Sequence, residues 1–238
     1  MTKLGPLESG HETQMLITFA QSPVGKKILT GLTGLGLVTF VLIHMLGNWL
    51  LLAGRDPFNQ YAYTLESLKP LLLSIEFILL LLVTIHAVLG IQIYLNRRQA
   101  RPDKYDSLQS VGDPSHQTWS SRNMIWTGVT LALFLVWHLA TFKFGTTYTT
   151  QLHGEQVRDL AQLVIETFQN PIFTVSYGVL LAVLLLHLRH GLWSAWQSVG
   201  VLSPNRHPSL YLWCNGFAWF FFLGFMVPPI AILGGMIT

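Results

Sequence analysis

The sequence predicts an all-α integral membrane protein with five transmembrane helices, and three observations carry that expectation. Of 238 residues, 51% are hydrophobic and only 11% charged, with a mean hydropathy of +0.46; such values belong to membrane proteins rather than soluble domains. Five stretches, at 26–53, 67–96, 122–144, 171–198 and 209–236, are each apolar and long enough to cross a bilayer, which takes about 20 residues at 1.5 Å per residue. The cationic residues between these stretches divide unevenly. Lys3, Lys26, Lys27, Arg97, Arg98, Arg101, Lys104, Arg122 and Arg206 fall on one side, against Arg55, Lys69, Lys143 and Arg158 on the other. By the positive-inside rule the first side is cytoplasmic, which puts the amino terminus inside and the carboxyl terminus outside a cytoplasmic (inner) membrane. The chain, 1–238, reads as one transmembrane domain.

Each element has its own punctuation. The segment MTKLGPLESGHETQML before the first span is too polar and too long for the n-region of a cleaved signal peptide, so that span is expected to stay in the membrane. SPVGKK leads into it. Pro70 and Pro171 stand in the first turns of the second and fourth spans, where a missing N–H costs little, and Pro208 opens the fifth. The connection from Gly145 to Asn170 is long enough for a short surface helix. The basic stretch NRRQARPDK serves as a topology determinant, with docking of an acidic or soluble partner as the other reading.

Four of the apolar runs carry a histidine at depth: His44, His86, His138 and His187. An unpartnered polar group in hydrocarbon is costly, so such residues face the bundle interior. His44 lies 17 residues from Lys27 and His138 lies 16 from Arg122, which places both about 24–26 Å from the inner face. His86 and His187 are each 11 residues from Arg97 and Ser198, about 16 Å from that face. The spacing therefore predicts two level-matched pairs, an outer one and an inner one, each able to hold a metal between its rings. Glycines one turn on, Gly47, Gly90 and Gly191, leave space for a flat macrocycle. For a single histidine, helix-to-helix hydrogen bonding is the simpler account; four at two matched depths favour a bundle of helices 1 to 4 around two haems. The one cysteine, Cys214, permits no internal disulfide, iron–sulfur cluster or thioether link, so the haems are expected to be b-type. A bare metal centre would want its ligands at one level. His190, three residues from His187, is the alternative ligand; with Arg189 it also suits a haem propionate, while Arg189 has snorkelling to the interface as its other reading. His11, His116, His153 and His207 are expected in surface segments.

SPVGKKILTGLTGLGLVTFVLIHMLGNWLLLAG, followed by PFNQYAY, IHAVLGI, WHL and HLRHGLWSAWQSVG, resembles the cytochrome b558 membrane subunit of succinate dehydrogenase and fumarate reductase complexes, from about Ser22 to the last helix. The resemblance implies one polypeptide with five membrane helices and two haem b groups, their irons held axially by His44 and His138 (outer) and by His86 and His187 (inner). It also implies partners. A flavoprotein subunit would carry covalent FAD and the dicarboxylate site, and an iron–sulfur subunit would dock on the cytoplasmic face of a prokaryotic inner membrane. The chain itself would hold no catalytic residue, would exchange electrons with a membrane quinone, menaquinone being the expected one, and would serve complex II of the tricarboxylic acid cycle.

No G-x-G-x-x-G flavin or nucleotide fingerprint occurs between a strand and a helix, and no nucleic-acid partner is expected. Quinone chemistry needs an acid or base; Glu76 is the one acid well inside a span, with Glu66 and Tyr61 expected at the outer end of the same helix. Glu76 could equally hydrogen-bond a neighbouring helix. Two rival functions stay open: the cytochrome b subunit of a formate dehydrogenase or hydrogenase, and a proton-coupled transporter with a histidine relay.

Overall fold

The computed structural model describes residues 6–100, 122–200 and 207–238; Lys3, Arg101, Lys104, Arg206 and His116 lie outside the described residues. Five helices among those described are long and apolar enough to span a membrane: Pro23–Ala53, Lys69–Gln99, Met124–Lys143, Pro171–Ser198 and Ser209–Leu233. The protein is all-α in its membrane part and multi-pass. The side carrying the amino-terminal helix is called inner below and the opposite side outer.

A helix not anticipated from its polar composition, α1 (Pro6–Gln21), precedes the first span. Ser22 separates it from α2 (Pro23–Trp49): its backbone is extended, its hydroxyl accepts from the Gly25 N–H at 3.0 Å, and Pro23 follows where no N–H is needed. After a short 3₁₀ turn at Leu50–Ala53, the chain forms α3 (Arg55–Ser67) and then α4 (Lys69–Gln99). Tyr61 and Glu66 therefore belong to a separate outer helix and not, as expected, to the second span. The reason is local: Leu68 leaves helical geometry, and Pro70 has no N–H to donate to the Glu66 carbonyl, so the ladder cannot run through.

The third span is α5 (Met124–His138) continued by a π turn, Leu139–Lys143. The turn is marked by the Phe144 N–H reaching back five residues to the Leu139 carbonyl at 3.0 Å. Beyond it the outer connection holds the expected surface helix, α6 (Leu160–Gln169), and also an unexpected hairpin of β1 (Thr149–Leu152) and β2 (Glu155–Arg158). The strands are antiparallel, Leu152 opposite Glu155. His153 and Gly154 both have positive φ, 52° and 85°, the pattern of a two-residue type I′ turn, in which glycine is at ease and histidine tolerable.

Asn170 caps α7 (Pro171–Ser198) by accepting from the Ile172 N–H at 3.0 Å, with Pro171 at the first helical position. The last helix is α8 (His207–Leu233). Helices α4, α2, α7 and α5 form a ring in which α4 and α5 touch only lightly, and α8 packs outside against α7 and α2. Small residues set the close approaches: a Cβ on Gly31 would stand 3.3 Å from the Ala195 Cα, so α2 and α7 meet nearly backbone to backbone. Helix α4 buries no residue fully and lies at the periphery. Inside α8, Pro228 cannot donate to the carbonyl of Gly224, and the Trp49 indole N–H fills the gap at 2.8 Å.

Candidate functional site

The inner level is built from the TGLTG run of α2. His86 on α4 points its Nδ1 at the Thr30 carbonyl (3.1 Å) and near the Thr33 hydroxyl (3.5 Å). Gly34 makes this possible, since a Cβ there would lie 3.1 Å from the His86 ring. Across the bundle, His187 on α7 has its Nδ1 3.0 Å from the Thr127 hydroxyl of α5. That hydroxyl donates to the Asn123 and Met124 carbonyls, so toward His187 it is available as acceptor. Both rings thereby carry their proton on Nδ1 and leave Nε2 free, an arrangement typical of ligating histidines. The two rings face each other with centroids 6.3 Å apart.

At the outer level His44 on α2 and His138, the last residue of α5, have centroids 5.7 Å apart at 89°. His138 Nδ1 is 3.3 Å from the Tyr177 hydroxyl. Tyr177 is held in turn by Phe134, Trp137, Phe142, Phe168 and Phe173, all with centroids within 6.1 Å of its ring. His44 stacks on Phe40 and meets Phe225 of α8 at 6.0 Å. Its Nε2 lies 3.4 Å from the Asn48 amide, the one member of the four whose Nε2 has a side-chain neighbour of this kind.

Metal–imidazole bonds of about 2.0–2.1 Å put the centroids of two rings on opposite sides of one metal about 6.3 Å apart. The observed 6.3 and 5.7 Å fit such a pair at each level. No group of three or more histidine, cysteine or acidic side chains converges among the described residues, so each level offers two imidazole donors, and a metal held there would take its remaining donors from a bound group. The residues present fit a haem. Gly90 and Gly191 support the fit, with nothing within 4 Å of where a Cβ would stand. Gly47 has a different duty: its missing side chain admits the Tyr61 ring, which a Cβ would meet at 2.9 Å. The close-approach glycines missed in the sequence are Gly34 and Gly128, the latter 3.6 Å by its would-be Cβ from the His187 ring.

The remaining candidate residues are spread out. Arg189 and Arg97 are the charged neighbours of His190 at the inner ends of α7 and α4. Glu76 forms an ion pair with Lys143 of the π turn, bridging the lightly packed α4 and α5. Glu66 is exposed on α3. A groove of about 620 Å³ opens on the inner side between α2 and α4, lined by Lys26, Gln92, Asn96, Leu29, Ile85 and Leu89 among others.

The outer level is roofed by α3, the hairpin and α6. Asp159 caps α6 by accepting from the Gln162 N–H (2.9 Å) and also accepts from Arg55 and Asn59 (each 2.8 Å), while Asn59 Oδ1 accepts from the Ala161 N–H at 2.9 Å. Burial alone would raise the Asp159 carboxyl, but the hydrogen bonds from Asn59 and Gln162 and the charge of Arg55 outweigh it and hold it below its ordinary value. Hydrogen bonds from Tyr148 and Gln162 likewise hold Glu166 low, and the bond to Glu155 raises Tyr63. Ala161, Val164, Ile165 and Phe168 form the apolar face that α6 lays on Phe58, Leu51, Tyr177 and Ile232.

A family model described as succinate dehydrogenase/fumarate reductase transmembrane subunit matches residues 96–224, more than half of the chain, including His138 and His187 and following His44 and His86. No curated protein and no solved structure matches the chain.

Proposed function

Because the chain belongs to the family of succinate dehydrogenase/fumarate reductase transmembrane subunits, we propose that it is the di-haem b anchor of a succinate:quinone oxidoreductase (complex II), passing electrons between a cytoplasmic iron–sulfur subunit and quinone in a prokaryotic inner membrane. The observation that carries the di-haem reading is the pair of facing imidazoles at each of two levels, 6.3 and 5.7 Å apart. The dicarboxylate chemistry, with its FAD, belongs to partner subunits, as does the docked iron–sulfur chain.

His86 and His187 would hold the inner haem, and His44 and His138 the outer one. Held by two imidazoles, each haem b would supply one-electron transfer. The side chains do the rest. The Thr30 carbonyl and Thr127 hydroxyl fix the inner rings in one tautomer and one orientation, and Tyr177 orients His138. Phe40, Phe134, Phe142 and Phe225 surround the outer rings and keep water from them. Glu76, with Lys143 beside it, is the acid positioned to give or take a proton for quinone, with Tyr61 and Glu66 on α3 as the further outer groups. Arg189 and His190 would meet the propionates of the inner haem.

The test is purification of the native complex with its partners identified by mass, joined to a reduced-minus-oxidised spectrum. The expected result is two b-type haems per chain, reducible by succinate, with a flavoprotein and an iron–sulfur protein attached. A chain that carries no haem would return the histidines to a proton relay, and molybdenum or nickel–iron partners would assign it to a formate dehydrogenase or hydrogenase.

A further inference from the structure

The inner groove between α2 and α4 changes character with depth. Asn96 and Gln92 stand one and five residues before Arg97, about 2 and 8 Å from the inner face, whereas Leu89 and Ile85 stand eight and twelve before it, about 12 and 18 Å deep. Their spacing of four, three and four puts all of them on one face of α4. On α2 the order is the same, with Lys26 at the inner end and Leu29 about one turn deeper. The polar side chains thus fall in the headgroup layer, about 5–8 Å thick on each side of a bilayer, and the leucines and isoleucine beyond it.

The headgroup end is cationic. Lys26 is half-buried, and the two ion pairs among the described residues join Arg55 to Asp159 and Lys143 to Glu76, so Lys26 has no acidic partner there. No acidic side chain lines the groove, and Lys27, Arg97 and Arg98 stand at the same rim. Acyl chains meet the apolar end in any membrane; the ammonium decides which lipid stays. A neutral head would leave it without a counter-charge, whereas a phosphate ester accepts from it and from the amides of Gln92 and Asn96. Basic pockets between spanning helices on the cytoplasmic side suit anionic headgroups for this reason.

We propose that this groove binds one anionic phospholipid of the inner leaflet, its phosphate at Lys26, its polar head on Gln92 and Asn96, and its chains along Leu29, Leu89 and Ile85. Helix α4 buries no residue fully and touches α5 only lightly, so a lipid bridging α2 and α4 gives the peripheral helix a second hold. The site stands whether or not the histidines carry haem.

The experiment takes the native assembly in mild detergent, washes out its lipid and titrates it with phosphatidylglycerol, phosphatidylcholine or inorganic phosphate, counting bound molecules by native mass spectrometry. One phosphatidylglycerol per chain should bind in preference to phosphatidylcholine. Lys26→Gln should weaken that binding roughly tenfold, the loss of one charge-assisted contact, and leave phosphatidylcholine where it was. Lys26→Arg should keep the preference, and so should Lys27→Gln, since Lys27 is exposed and outside the groove lining. If Lys26→Gln fails to accumulate, Leu89→Trp decides: it fills the apolar end without touching a charge and should lower phosphatidylglycerol uptake. An unchanged preference in Lys26→Gln, or unchanged uptake in Leu89→Trp, overturns the proposal. Inorganic phosphate that displaces phosphatidylglycerol at equal concentration would reduce the groove to an anion site without lipid, and a quinone that photo-crosslinks to its lining would give it another occupant; either result also overturns the proposal.

Discussion

Among single residues, the four buried histidines differ in what holds each ring. His86 and His187 are fixed by neighbouring helices through a carbonyl and a hydroxyl, His138 by a phenol, and His44 by stacking on Phe40. His44→Ala and His138→Ala should therefore erase one spectral component, and His86→Ala and His187→Ala the other, in difference spectra of membranes. His190→Ala should keep both; loss of a component there would pass the ligand role from His187 to His190. Thr127→Val should retain the inner haem but shift its midpoint, since the acceptor on His187 Nδ1 is gone, with a stability loss of roughly 0.5–1.5 kcal/mol. Depths were legible because helix rise is arithmetic: residues 17 and 16 positions from inner-face cations had to share a level. The anchors Thr30, Thr127 and Tyr177 were not, because they depend on how each helix is rotated toward its neighbour. Gly47 was misread for the same reason: its notch turns toward Tyr61.

At the scale of elements, the outer roof depends on one carboxylate. Asp159 joins α3 to α6 by three side-chain and backbone donors. Its folded-state value is depressed, so its contribution is fully present above the unfolded value of about 3.9 and is lost as pH falls through the lower folded value. Protease sensitivity of the 144–170 connection, assayed in detergent, should thus be constant at neutral pH and rise only below about pH 4. Asp159→Asn should make that connection more sensitive at pH 7, at a cost of roughly 1–3 kcal/mol; equal digestion of variant and wild type would remove Asp159 from this role. The spans themselves were easily read, since 20 apolar residues with proline at the first turn have few alternatives in a bilayer. The hairpin was missed, although HG between TTQL and EQVR is a two-residue loop signal. Its strands lack clean alternation, with burial patterns that leave half of their positions exposed, and only the second packs against α3.

Over the whole molecule, two stacked histidine pairs, each holding a haem as proposed, would make a route across the membrane. Electrons entering from the inner side would reach the His86–His187 level first and the His44–His138 level second. An elementary charge crossing the full potential is worth about 2.3 kcal/mol per 100 mV. Succinate-to-quinone turnover in sealed proteoliposomes containing the whole complex should therefore change with an imposed potential and relax on adding an uncoupler, unless a proton crosses with each electron. A flat response, with quinone found in the inner groove between α2 and α4, would mean that electrons leave on the inner side. Finally, Phe225 is 6.0 Å from His44, and Trp49 is tied to Gly224 across 175 positions of sequence. One wall beside His44 is thus made by the fifth span, which leaves the ribosome after the other four. The inner level has its four helices once the fourth span is inserted, while His44 still faces lipid on one flank. Chain order therefore becomes an order in time: the inner site closes during synthesis, and the outer one only after synthesis of the fifth span.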